Sequence, residues 1–415
     1  MNNDYRLTFY VRRLAWWFLG VAAIALYWYG SAAWAATTEP IVIGQSLPMG
    51  NADDGRSART VAGAQAYVER VNATGGTRGR SVPLVTLDDG GDPQRHAANL
   101  LRLATENKAV AFINCLGDAS CTAAAEVSRQ LRVPLIGPLS GARKLGRADN
   151  PYVFRIRAPY VREAEALARQ LLTLGIFNVA IVTDTRPASE AAIAFKEALV
   201  RVKLKSGIVS LDAGNEATFS AMVGELGSAR YQAVFLDVRT STFEQLAQRK
   251  ADGKNDPWPL VVTTFASGAG NSFFSVFTNR MLGFTAVVPN PELSKIPLAR
   301  ELQDHANKAG GGSALTYAGM EGYINTKVCL EALRRAEGKV DANSVFAALN
   351  AMGTMDLGGF FANFSTTAAS ASDWVDIVVR SRTGTLLSFG NGDDADAQQG
   401  SYTAALPFFV SRVGP

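Results

Sequence analysis

VPLVTLDDGGDPQRHAANLLRLATENKAVAFINCLGDASCTAAAEVSRQLRVPLIGP, residues 82–138, decides the fold. Three short apolar runs, Val82–Leu87, Val110–Asn114 and Val133–Ile136, alternate with helix-period segments at 93–106 and 119–131. The runs are continuous in Val, Ile and Leu and lack a polar face, as expected of parallel strands covered by helices on both sides. The stretch therefore predicts a doubly wound α/β lobe.

The rhythm extends in both directions. Upstream, Ile41–Ser46 supplies another strand and 56–73 its helix. Downstream, the cadence restarts with strands at Asn178–Thr183, Gly207–Leu211, Ala233–Asp237 and Leu260–Thr264, separated by helices near 188–203, 216–228 and 240–251. Two lobes of like architecture follow. A chain of 415 residues points the same way, because single cores stop growing near ~250–300 residues. Asn150–Tyr160, between the lobes, is too apolar for a loose linker. A long helix is predicted over Leu315–Glu337 with Gly338 at its end, and Asp341 is placed to cap the next. Gly358-Gly359 before Phe360-Phe361 reads as a turn into a strand.

Composition narrows the function. Lys and Arg number 41 against 37 Asp and Glu, a net charge of +4, too even for a protein that binds nucleic acid by neutralising phosphates. Nucleophile elbows, zinc helices, Walker loops and dinucleotide fingerprints are absent, so no enzyme is expected, nor a cofactor or metal. His96 and His305 read as solvated surface side chains. Asp53-Asp54 and Asp88-Asp89 follow strands among glycines, where Asp serves turn backbone. Cys115 and Cys121 bracket a five-residue loop: either a disulfide braces it, or two small buried side chains flank a turn. At the start, Arg12-Arg13 precedes an uncharged apolar run over residues 14–30, and Ala33-Trp34-Ala35 offers small residues for cleavage. This reads as a cleavable signal peptide over 1–35, with an uncleaved anchor as the competing reading. Export to an oxidising compartment is the expectation.

A second line of reading rests on motifs in order. They are Ile41-Val42-Ile43-Gly44, Ala66 to Gly76, Asp88-Asp89 with Asp92-Pro93, Val133 to Pro138 with Ser140-Gly141-Ala142, Tyr152 to Tyr160, Glu321-Gly322-Tyr323 and Asp356 to Phe360. Over roughly residues 39–390 the chain resembles the type I periplasmic solute-binding proteins of ABC importers, the branched-chain amino acid binding protein family. The resemblance implies two Rossmann-like lobes with parallel sheets, joined by three crossings near Phe154–Arg157, Gly283–Val288 and Asp356–Phe360. The first lobe would hold 36–157 and 286–356, the second 158–285 and 357–390, leaving a tail at 391–415. It also implies a monomer that takes a small-molecule ligand into the cleft and delivers it to a membrane ABC permease. A sensory ligand-binding domain and a ligand-less interaction module are the rival readings.

Open parallel sheets bind ligands beyond the carboxyl ends of their strands. On that rule and the resemblance, the first-lobe candidates are Gly117, Asp118, Ala119 and Ser120 with Ser140, Gly141 and Ala142. From the second lobe come Tyr160, Asp184, Asp237 and Phe265, while Met49 and Gly50 border the cleft. Asp118 stands where amino-acid binders place a small or hydroxyl residue to receive a carboxylate, so a branched-chain amino acid fits poorly. Arg186 and Arg239 offer an opposite reading, an acidic ligand.

Overall fold

The computed structural model describes residues 39–50, 53–184, 187–228, 230–251, 258–277, 280–309, 312–365, 370–380 and 386–388. The signal peptide expected over 1–35, Arg186 and the tail 391–415 lie outside them.

In the first lobe, β1 (Ile43–Leu47), β2 (Leu84–Asp88), β3 (Ala111–Ile113), β4 (Leu135–Ile136) and β5 (Val153–Phe154) form one parallel sheet in the order β2-β1-β3-β4-β5. Every residue of β1, β3, β4 and β5 is buried, which accounts for the apolar sequences of β3, β4 and β5; β1 carries Gln45 and Ser46, whose side chains are hydrogen-bonded in the interior. Helices α1 (Arg56–Ala73), α2 (Pro93–Thr105) and α3 (Asp118–Leu131) connect them. Asp92 caps α2, accepting from the amides of Gln94 and Arg95, with Pro93 in the first turn, where a missing N–H costs nothing.

The second lobe opens with α4 (Tyr160–Thr173) and alternates β6 (Asn178–Thr183), α5 (Glu190–Arg201), β7 (Lys205–Ser210), α6 (Glu216–Ser228), β8 (Ala233–Asp237), α7 (Thr240–Ala251) and β9 (Val261–Thr264). After α8 (Asn271–Val276) comes β10 (Met281–Ala286), parallel to β9. The sheet is extended by β13 (Asp376–Arg380) and β14 (Leu386–Ser388), each antiparallel to its neighbour, giving β14-β13-β10-β9-β8-β6-β7.

Between β10 and β13 the chain returns to the first lobe as α9 (Pro297–Ala309), α10 (Tyr317–Arg335) and α11 (Ala342–Asn350). Helix α10 crosses α1 so closely that a Cβ on Gly63 would lie 1.8 Å from the Gly319 carbonyl oxygen. Asp341 begins α11 with a capping box, its side chain accepting from Ser344 N while Ser344 Oγ accepts from Asp341 N.

One crossing lies elsewhere than expected. Asp356–Phe360 is not a passage between lobes but the turn of a ribbon, β11 (Thr354–Asp356) against β12 (Phe361–Asn363), with Gly358 and Gly359 both at positive φ. Phe360, Ala362 and Phe364 join the first-lobe core, so residues 357–364 do not belong to the second lobe. The chain passes over later, where Ala371 N and Ser372 N donate to the carbonyls of Arg155 and Ile156 on the first crossing. Contact between two crossings satisfies backbone groups that would otherwise be buried unpaired.

Candidate functional site

The carboxyl ends of both sheets face one another. From the first lobe, Asp118 opens α3 after Gly117, whose φ of 81° turns the chain out of β3. Asp118 Oδ1 accepts from Ser140 Oγ (2.6 Å) and from Tyr160 Oη (2.8 Å). Ser140 Oγ also accepts from Ala142 N, and Tyr160 N donates to the Gly141 carbonyl at 3.0 Å. A Cβ on Gly141 would stand 2.5 Å from the Tyr160 ring, so only glycine permits this approach. Burial, then the Asp118 carboxylate, pushes the Tyr160 phenol well above its ordinary pKa. The phenol stays protonated and donates.

Asp184 follows β6 and Asp237 ends β8, strands that are hydrogen-bonded neighbours. Burial pushes Asp237 up to about 6; Ser189 Oγ, donating to Oδ2, opposes this, while Asp184 and Asp118 add to it. Asp184 Oδ2 accepts from Arg239 N and Nε, both at 3.1 Å, and from Thr242 Oγ1. Its Oδ1 is buried without a partner. Three candidates from two lobes thus meet as an acidic cluster, with Arg239 bound to its edge.

Next to this cluster lies a buried set of charges that sequence reasoning missed. Arg157, on the first crossing, donates to Glu163 Oε1 at 2.7 Å and lies 3.6 Å from Glu321 Oε2. Arg56, in the first turn of α1, lies 3.3 Å from Glu321 Oε1. Glu163 Oε2 accepts from Ala266 N and Thr285 Oγ1, on the loop after β9 and on β10. Burial lowers the Arg157 pKa, but Glu321 and Glu163 outweigh it and hold the guanidinium charged. Two cations and two anions balance, the condition for keeping ions in a low-dielectric interior. One signal was available: Glu321 sits among Met320, Tyr323 and Ile324, and a lone acid on an apolar helix face needs a partner.

Between the lobes, beside this quartet, is a cavity of about 270 Å³, near the ~300 Å³ lower end of small-molecule sites. The first lobe contributes the start of α1, including Asp54, Arg56 and Arg59, and the start of α10, including Tyr317 and Glu321. The second contributes residues 266–274 and the end of β10. Two hydrogen bonds join its walls, Arg56 Nη1 to the Ser267 carbonyl (3.0 Å) and Ser272 N to Asp54 Oδ2 (2.8 Å).

The other candidates are dispersed. Phe265 is buried, stacked on Tyr160 and edge-on to Phe195 and Phe235, so its ring backs the cluster. Ser120 is buried in α3, whereas Gly117 and Ala119 are exposed. Met49 and Gly50 lie exposed near Asp88, whose Oδ1 accepts from Met49 N. Cys115 and Cys121 are joined by a disulfide, Cα atoms 5.2 Å apart, closing the loop that carries Asp118. His96 corrects the expectation of a solvated side chain: it is fully buried, with Nδ1 2.7 Å from Asp89 Oδ2. A polar sequence context hid this because the partner, seven residues away, turns inward with it. His305 is also largely covered, 3.7 Å from Glu69. Asp88 and Asp53 do serve turn and cap amides, respectively.

Comparison with known proteins agrees with this architecture. A substrate-binding periplasmic protein from Ralstonia solanacearum superposes with a TM-score of 0.74 at 25% identity, covering 84% of this chain and 99% of its own. An extracellular ligand-binding receptor from Verminephrobacter eiseniae gives 0.71 at 25% identity, with the same coverage. A leucine binding protein from Thermotoga maritima gives 0.70 at 19% identity, covering 84% of this chain and 97% of its own. No curated protein sequence matches. The family model for periplasmic binding proteins matches residues 40–375, through both lobes and all three crossings, and the chain belongs to that family.

Proposed function

We propose that this protein is an exported solute receptor that captures a small polar molecule between its lobes and delivers it to a membrane ABC permease, without catalysing a reaction. The observation that carries the reading is the cavity walled by both lobes and spanned by the Arg56–Ser267 and Asp54–Ser272 hydrogen bonds. A ligand there contacts both lobes at once and stabilises the closed arrangement by its differential affinity for it. The acidic cluster of Asp118, Asp184 and Asp237 forms the neighbouring end of the same cleft. Its charge selects against an anion, while Tyr160 and Ser140 hold Asp118 in place.

A thermal-shift screen against amino acids, short peptides, carboxylic acids, aromatic compounds and amines tests this. A ligand bound only by the native state adds RT ln(1 + [L]/Kd) to stability. One chemical class raising Tm in a concentration-dependent way is expected. A flat response to every class, checked by calorimetry, removes the solute-receptor reading.

A further inference from the structure

The cavity's walls are chemically uneven. One side is aromatic and belongs to both lobes: Phe284 on β10 meets Tyr317 of α10 edge-on at 5.6 Å between centroids, and Phe274 of α8 meets Phe284 at 5.5 Å. All three rings line the space. Phe284 is buried behind the other two, while Phe274, with Arg380 over its ring at 5.4 Å, and Tyr317 are half-buried, and an added aromatic group gains both area and geometry against them.

The other side is acidic and incompletely satisfied. Glu321 lines the cavity, yet its side chain is only 4% exposed and its Oε2 has no hydrogen-bond partner. Arg157 Nη1 lies 3.6 Å from that oxygen, within ion-pair range but beyond hydrogen-bonding range, so the carboxylate keeps one acceptor position unfilled beside the cavity. The two guanidiniums that line the cavity are engaged: Arg56 with Glu321 and the Ser267 carbonyl, Arg59 with the Asp54 carbonyl. Asp53 and Asp54 accept from backbone amides. Four carboxylates and two guanidiniums line the space, so its field favours a cation.

Resting on the solute-receptor reading, we infer that the ligand is an arylalkyl amine, its ring against Phe274, Phe284 and Tyr317 and its nitrogen donating to Glu321 Oε2. A carboxylate on the ligand would face four carboxylates against two guanidiniums in the lining. An aliphatic amine satisfies the acceptor but leaves the aromatic wall unfilled.

Calorimetry on the purified protein separates the two requirements with four probes: 2-phenylethylamine, 3-phenylpropionate, n-butylamine and L-leucine. Phenylethylamine is expected to bind at least about tenfold more tightly than each of the others, since a charge-assisted hydrogen bond and an aromatic contact each contribute on that scale. Equal or tighter binding of phenylpropionate or butylamine overturns the inference. Tight binding of leucine with none of the amine overturns it while leaving the solute-receptor reading intact; silence across these probes and the wider screen removes both. Glu321→Gln is expected to lower phenylethylamine affinity about tenfold and leave phenylpropionate unchanged. Because Glu321→Gln also unpairs Arg157, Phe274→Leu provides the second test. It is expected to weaken phenylethylamine and spare butylamine, and unchanged phenylethylamine affinity in a folded Phe274→Leu protein overturns the assignment.

Discussion

At Cys115, sequence spacing left two outcomes open and three-dimensional distance decided between them. The helix that starts at Asp118 brings Cys121 back over Cys115 and puts their Cα atoms 5.2 Å apart, inside the range of about 4.4–6.8 Å that a disulfide spans. Cys329 is buried alone, and burial pushes its thiol up to about 12. Denatured, unreduced protein should therefore yield one reactive thiol, and three would eliminate the bridge. Replacing both bridged cysteines with alanine should cost about 2 kcal/mol in a denaturant titration, the loop-closure value for so short a ring. The same limit governs the rest of the site's legibility. Asp118, Ser140 and Asp237 could be nominated because strand ends can be read from sequence, and Tyr160 because it follows the first crossing; Arg56 and Glu321 could not, because these two partners lie 265 residues apart in sequence.

Helices and long strands could be read from periodicity, since each element's own pattern states which face is buried. What the pattern omits is the sheet or helix on the other side. Phe360 and Ala362 alternate as a buried strand face would in either lobe, which is why the third crossing was read too early. β5, two residues long, is equally faint, too short to establish a period. The α1–α10 contact shows what a local reading lacks. Gly63 lies in a helix, where alanine is ordinarily better by roughly 0.5–1 kcal/mol, but a methyl there collides with backbone of α10. Gly63→Ala should destabilise by about 1–3 kcal/mol or more, the range for overpacking against atoms that cannot yield. Gly224, in α6, has open space around its would-be Cβ, so Gly224→Ala should stabilise by roughly 0.5–1 kcal/mol. Urea titrations of the two variants must move in opposite directions; equal shifts would refute the close crossing.

Across the whole molecule, bringing two sheet ends together concentrates negative charge where the lobes meet, and this leaves a signature in stability. Asp237 is pushed up to about 6 by burial and by Asp184 and Asp118, with Ser189 opposing; Asp376, on β13, is pushed up to about 6 by burial while Ser388 donates to it. A carboxyl whose folded pKa exceeds its unfolded value, 3.8 for both, holds its proton more tightly in the native state. Its contribution is complete below the unfolded pKa and is lost as pH rises through the folded one. Each group therefore removes up to about 1.4 kcal/mol of stability per pH unit across that window. Asp88 runs the other way: hydrogen bonds from the Met49 and Gly90 amides lower its pKa, so its stabilising contribution disappears as pH falls. A difference measurement isolates Asp237 from these opposing groups. The stability of Asp237→Asn relative to the natural protein should rise between about pH 4 and pH 6 and level off above. A difference that is constant or shrinks over that interval would mean Asp237 is not pressed against its two acidic neighbours. The charge that shapes the cleft would then have to reside elsewhere.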